Sequence, residues 1–210
     1  MKRLLWLGCL LGAVETTVLP WGGSLLATTS RAALQHPAYG PPRPLPGYVK
    51  DAWTVWFRGR EVRGASASTF VDLGAGYGKD AWSVFFEGEE VKEASAQSFA
   101  VLTDGYARDD WRVFWKGRVV ADVSPASFAT LGDGYARDNW KVLWNGRALE
   151  KASPASFEAL GDGYARDNWK VFWCGNELPD AVPSSFEVLG RGYARDAWNT
   201  WYFGRPVERF

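Results

Sequence analysis

The stretch Tyr-Ala-Arg-Asp-Asn-Trp-Lys-Val-Leu-Trp-Asn-Gly at 135–146 returns almost unchanged at 164–175. Looser copies of it occupy the rest of the chain. Tyr48, Tyr77, Tyr106, Tyr135, Tyr164 and Tyr193 each stand 29 residues after the last. Three residues on from each tyrosine is an aspartate (Asp51, Asp80, Asp109, Asp138, Asp167, Asp196), and five on is a tryptophan (Trp53, Trp82, Trp111, Trp140, Trp169, Trp198). Phenylalanine follows at 22 residues (Phe70, Phe99, Phe128, Phe157, Phe186) and leucine at 25 (Leu73, Leu102, Leu131, Leu160, Leu189). The register holds without an insertion, so the chain is an array of one repeated unit, and that decides its architecture before any local motif.

Tyr135 to Asp138 is short, aromatic-led and follows a glycine, as a strand does. Asp138-Asn139 fits a turn, because both side chains bond nearby backbone. Trp140, Val142 and Trp144 then alternate with Lys141 and Leu143, which is the period of a strand. Asn145-Gly146 is a strong hairpin signal, since a type I′ turn needs positive φ at both central residues. Arg147-Ala148-Leu149 forms the return strand. Ser153-Pro154 reads as the start of a short helix, with serine as cap and proline at the first helical position. Phe157 and Leu160, three apart, share its face, and Gly161 ends it.

The predicted unit is therefore a short strand, a β-hairpin and a two-turn helix. A helix of roughly eight residues is too short to persist alone, and so is a lone hairpin. Each unit must bury its apolar residues against its neighbours. The expected fold is a β-rich α+β repeat protein, an open solenoid-like stack of six units starting at 48, 77, 106, 135, 164 and 193, the last without its helix. A closed ring is the alternative, but propeller blades usually run to about 40–45 residues. The expected repeat core is Trp82, Trp111, Trp140 and Trp169 with Phe99, Phe128, Phe157 and Phe186. Pro206 is expected to block strand addition at the end of the array.

Ahead of the array, Lys2-Arg3 precedes an apolar run from Leu4 to Val14 that Glu15 closes. That pattern reads as a secretory signal over 1–27, cleaved near Ala27, and the run is short for a membrane span. Lipidation at Cys9 fits less well, because Trp6 is a poor residue three before the cysteine. Residues 28–47 form a proline-rich spacer, with prolines at 37, 41, 42, 44 and 46. The repeat domain is 48–210. Removing residues 1–47 leaves 20 basic and 23 acidic residues, a net charge of −3. No basic stripe exists, so a nucleic-acid partner is not expected.

The run at 164–175 resembles the DKNYY repeat family. The likeness rests on Tyr164, the basic Arg166, Asp167, Val171, the aromatic pair Phe172-Trp173, Gly175, Phe186 and Leu189, and it extends over 48–210. Trp169 stands where the family pattern has asparagine, and Phe or Trp replaces the paired tyrosines. The resemblance implies tandem repeats in an exported bacterial protein, and it implies no catalytic residue.

The sequence holds little chemistry. The one histidine, His36, lies in the proline-rich segment, so no Ser-His-Asp or Cys-His set can be assembled on a rigid scaffold. No cofactor is expected. Asp133 with Asp138, or Asp104 with Asp109 and Asp110, invites a calcium reading, but the equivalent helix-exit positions are Ala75 and Arg191, and a required ligand does not become arginine. Turn-stabilising aspartates are the expectation. Cys174 occupies a hairpin-turn slot that accepts almost any residue, so an incidental exposed thiol is expected there. The basic residues Lys50, Lys79, Arg108, Arg137, Arg166 and Arg195 are expected to stack on tryptophans.

One strand face carries Trp140, Val142 and Trp144. Trp56, Phe85, Phe114, Leu143, Phe172 and Trp201 occupy the other, where the helix either covers them or Trp56, Phe85, Phe114, Phe172 and Trp201 stack on a ligand. The expected function is an exported, non-enzymatic repeat scaffold presenting a surface to a protein or cell-envelope component, touching a membrane only through an uncleaved N-terminal segment. The alternative is a carbohydrate- or choline-type cell-wall binding module. If the array is a stack, Phe128→Ala at its middle lowers stability by about 3–5 kcal/mol. Removing the last copy costs less than removing a central one, and denaturant unfolding of the variants checks both.

Overall fold

The computed structural model describes residues 47–207. The expected leader and nearly all of the spacer lie outside the described residues. The repeat region forms six small antiparallel sheets, three-stranded in the first and four-stranded in the others. They are numbered here in chain order: sheet 1 (48–61), sheet 2 (71–90), sheet 3 (100–120), sheet 4 (129–148), sheet 5 (158–177) and sheet 6 (187–206). In sheet 4 the strands Ala129–Gly132, Tyr135–Arg137, Val142–Trp144 and Arg147–Ala148 pair in chain order as a meander. Tyr135 lies opposite Trp144, Ala136 opposite Leu143, and Arg137 opposite Val142.

Two of the three turns in that meander are tight. Asn145-Gly146 has φ of 48° and 75°, the type I′ geometry its sequence calls for. Asp133-Gly134 has φ of 54° and 80° and joins the first two strands in the same way. The Asp-Gly pair was as strong a hairpin signal as Asn-Gly, and its place after an expected helix concealed it.

The expected helix is not there. Pro154–Ser156 makes one 3₁₀ turn, Ser153 gives no side-chain cap, and Phe157 is already extended at φ −75°, ψ 131°. Glu158–Gly161 is the first strand of sheet 5. The three-residue spacing of Phe157 and Leu160 arises from a bulge: Ala159 pairs with Ala165 but Gly161 pairs with Tyr164, which leaves Leu160 as the extra residue. The two side chains do not share a face. Phe157 joins the core of Tyr135 and Val142, while Leu160 packs in the next core, that of Tyr164 and Val171. The α+β class and its two-turn helices thus give way to an array of β-meanders.

Each core lies between consecutive sheets. Tyr135, Val142 and Phe157 meet Ala165 and Phe172 of the following sheet. Tyr106, Val113 and Phe128 meet Ala136 and Leu143. The other three junctions repeat this arrangement. The rings interlock as well: Phe157 sits 5.4 Å from Tyr135 and 5.6 Å from Phe172, tilted in both pairs. A sheet this small has one face for each neighbour, and the internal sheets bury both.

The tyrosine hydroxyl ties each junction. Tyr135 donates to the Gly163 carbonyl at 3.0 Å and accepts from the Gly175 N–H at 3.0 Å. Tyr48, Tyr77, Tyr106 and Tyr164 make the same pair of bonds, to glycines 28 and 40 residues on. The repeated tyrosine is a packing residue between units. Burial pushes the hydroxyls of Tyr48, Tyr77 and Tyr106 up to about 12 despite the glycine N–H that favours the phenolate, and it raises Tyr135 and Tyr164 in the same way.

The folded state therefore holds the neutral phenol more firmly than the unfolded chain does. This contribution is complete below the ordinary value of 10 and is lost as pH rises through about 12. Alkaline titration is expected to unfold the array cooperatively in that window. In a Tyr193→Phe, Tyr202→Phe background, which removes the two exposed hydroxyls of the array, the tyrosinate absorbance of the buried series should rise together with loss of near-ultraviolet circular dichroism.

Candidate interaction surface

The middle turn of each sheet is built on its aspartate. Asp138 Oδ1 accepts the N–H groups of Trp140 and Lys141 at 2.7 and 2.6 Å. Its Oδ2 accepts the Ser124 N–H at 2.7 Å, 14 residues back in the loop before the sheet. Ser127 Oγ receives the Asn139 N–H at 3.3 Å. Asp80, Asp109, Asp167 and Asp196 are used in the same manner. Burial tends to raise the Asp138 carboxyl, but N–H donors from Ser124, Trp140 and Lys141 outweigh it and hold the group below the usual carboxylate range. In Asp51, which is exposed, the N–H groups of Trp53 and Thr54 lower it directly.

These carboxylates are turn and loop anchors, as expected, and their oxygens are engaged by backbone. Among the described residues, no group of three or more His, Cys, Asp and Glu side chains could hold a metal ion.

Anchoring the aspartate places the tryptophan at the tip of a turn, ahead of the strand that begins at Val142. The side chain is left outside the sheet. Trp53, Trp82, Trp111, Trp140, Trp169 and Trp198 are 70–87% exposed. Trp82, Trp111, Trp140 and Trp169 therefore do not belong to the core that the sequence assigned them to; Phe99, Phe128, Phe157 and Phe186 do, all buried. The misreading came from extending the alternation of Val142 and Trp144 back through the turn. The signal against it was Asp138-Asn139: a residue two beyond an Asx-turn aspartate belongs to the turn.

The proposed stacking residues lie elsewhere too. Phe85, Phe114, Phe172 and Trp201 are buried in the cores of the preceding sheets, and Trp56 is half-buried. What covers Phe85, Phe114, Phe172 and Trp201 is the face of the preceding sheet.

The basic ladder also differs from expectation. Lys79 donates to the Ala96 carbonyl at 2.7 Å, Arg108 to Pro125 at 2.7 Å, and Arg166 to Pro183 and Phe186 at 2.9 and 3.1 Å. Lys50 and Arg137 reach the same loop carbonyls. These cations satisfy loop carbonyls instead of stacking on tryptophan, because that ring has moved to the turn tip. The cation–π contacts among the described residues are Arg58 over Phe57 and Lys116 over Trp115.

Around the central tips the charges are balanced. Arg112 pairs with Glu93 at 3.0 Å, Lys141 with Asp122 at 3.5 Å, and Lys170 with Glu177 at 2.9 Å. A cleft of about 530 Å³ between the outer strands of sheets 1 and 2 carries Arg60, Arg63, Glu61, Glu87, Glu89 and Glu90. Its charged side chains on the strands Arg60–Glu61 and Glu89–Glu90 are exposed. Cys174, at φ 46° in its hairpin turn, is half-buried and not exposed as expected. Burial and the nearby Asp133 push its thiol up, away from the reactive thiolate. His36 lies outside the described residues, among which no helix is long and apolar enough to cross a membrane.

The DKNYY family model matches residues 77–205. No curated protein and no solved structure matches the chain.

Exposed tips that carry no core load should be silent in stability. Trp140→Ala is expected to change unfolding free energy by no more than about 0.5 kcal/mol. Trp144→Ala, whose ring is packed into a sheet junction, should cost several times that, as urea titration of the two variants will resolve.

Proposed function

This chain belongs to the DKNYY family, and from that premise we propose that it is a non-enzymatic repeat scaffold whose row of exposed tryptophans binds a protein or cell-envelope component. One observation carries this reading: the same large aromatic side chain stands in solvent at the same turn of all six sheets. Exposed apolar groups of this size, kept in register, mark interaction sites. Stacked sheets lie about 10 Å apart, so the tips present a regular series. Weak contacts in series add through effective concentration, which suits an extended or repetitive partner. The sequence over 1–27, read as a secretory signal, fits a role outside the cytoplasm, where envelope components are met.

Carbohydrate binding is the second reading, and the flanks of the tips favour it. In sequence the tip tryptophans adjoin the side-chain amides of Asn139 and Asn168 and the hydroxyl of Thr54, which would place hydrogen-bonding groups near a flat ring. A choline-type ligand is less well served. Quaternary ammonium groups are held in cages of several rings, and Trp82, Trp111, Trp140 and Trp169 have no aromatic ring against them among the described residues.

The test is a variant with Trp82, Trp111, Trp140 and Trp169 all changed to alanine. Wild type should be retained on envelope preparations, and the folded variant should wash off. Glycan fragments that shift tryptophan fluorescence of the wild type alone would select the carbohydrate reading. Equal retention of both proteins would remove the tryptophan row from consideration.

A further inference from the structure

Among the described residues, the junction that repeats five times leaves one face of sheet 1 and one face of sheet 6 without a neighbouring sheet. Tyr77, Tyr106, Tyr135 and Tyr164 are fully buried by the sheet that follows, whereas Tyr193 is 45% exposed. Its hydroxyl has no partner among the described residues. Beside it in sheet 6, Tyr202 is 44% exposed. Tyr202 occupies the register position of Phe57, Phe86, Trp115, Trp144 and Trp173, each of which lies over a glycine of the following sheet. A Cβ added at Gly175 would meet Trp144 at 2.7 Å, and one at Gly88 would meet Phe57 at 3.1 Å.

Sheet 1 shows the other half. Gly59, in register with Gly88 and Gly175, has nothing within 4 Å of the position of a Cβ. Trp56 is half-buried where Phe85, Phe114, Leu143 and Phe172 are buried, and Val49 is half-buried where Ala107, Ala136 and Ala165 are buried. Both are as large as or larger than their internal counterparts. At the other end, no ring among the described residues packs on Tyr193 and Trp201 from beyond sheet 6 as Phe157 packs between Tyr135 and Phe172. The polar bonds match. Carrying the 28- and 40-residue bonds of Tyr164 forward by one unit places the Tyr193 hydroxyl against the positions held in sheet 1 by the Gly47 carbonyl and the Gly59 N–H.

We infer that sheet 6 of one molecule docks on sheet 1 of a second copy, continuing the internal junction head to tail. Such a contact is heterologous, using two different patches, and it leaves one free face at each end of the product. The assembly therefore grows beyond the dimer and would extend the tryptophan row from copy to copy.

Two variants test this on the full chain by sedimentation velocity. Gly59→Asn keeps a residue that tolerates positive φ and enters open space in the single molecule, but it fills the seat of Tyr202. Tyr202→Lys places a charge on the opposite face at a site already exposed to water. Wild type is expected to show mass rising with concentration through dimer and larger species. Each variant alone should remain monomeric with unchanged circular dichroism. An equimolar mixture should form one-to-one dimers and nothing larger, because one intact face of each kind remains. A wild type that stays monomeric at the highest attainable concentration overturns the proposal. So does a single variant that self-associates like wild type, or a mixture that stays monomeric.

Discussion

A phenol hydroxyl buried between two sheets must both donate and accept, and the rest of this structure is arranged around meeting that demand. Leaving such a group unpaired in the interior costs on the order of 1–3 kcal/mol. The partners that Tyr135 finds, the Gly163 carbonyl and the Gly175 N–H, belong to the two turns at one end of the next sheet. Both turns must therefore arrive at fixed distances along the chain, and the turn glycines must let an aromatic side chain approach closely. A one-residue insertion between Tyr135 and Gly175 would displace at least one of these bonds. The constancy of the 29-residue period follows from this geometry.

Aspartate imposes a second, orthogonal constraint. Asp138 closes its own turn and holds the loop that leads into its sheet. With three backbone N–H groups on one carboxylate, the short middle hairpin is rigid without help from side chains above it. That frees the tryptophan at its tip from any structural duty. Trp82, Trp111, Trp140 and Trp169 join none of the sheet cores, so packing does not account for their recurrence.

Much of this was legible in the sequence. The period, the Asn145-Gly146 hairpin and the anchoring role of aspartate rest on turn chemistry and spacing, which are local properties; the units themselves begin one strand earlier than the tyrosines expected to open them. The helix misreading has a local cause as well. Ser153-Pro154 starts a helix and a 3₁₀ turn equally well, and three-residue spacing of apolar groups marks either one helical face or a bulged strand whose residues enter successive cores. Only the neighbouring sheet decides between them. The candidate surface failed for a related reason: alternation says which residues share a face, not what covers it. Phe172 and Trp169 exchanged roles because the cover came from another copy of the unit and not from a helix of the same one.

The longest bond in the repeating set spans 40 residues, and it recurs along the whole array. Contacts of such even and modest separation make the topology easy to complete in sequence. During synthesis, a sheet waits only for the turns of its successor to emerge before its tyrosine is satisfied. Every completed sheet then offers a finished face to the next one. The exposed interval is set by that 40-residue reach and is the same at every stage, so the growing chain carries no more uncovered aromatic surface when long than when short, and lengthening by whole units adds no new folding problem.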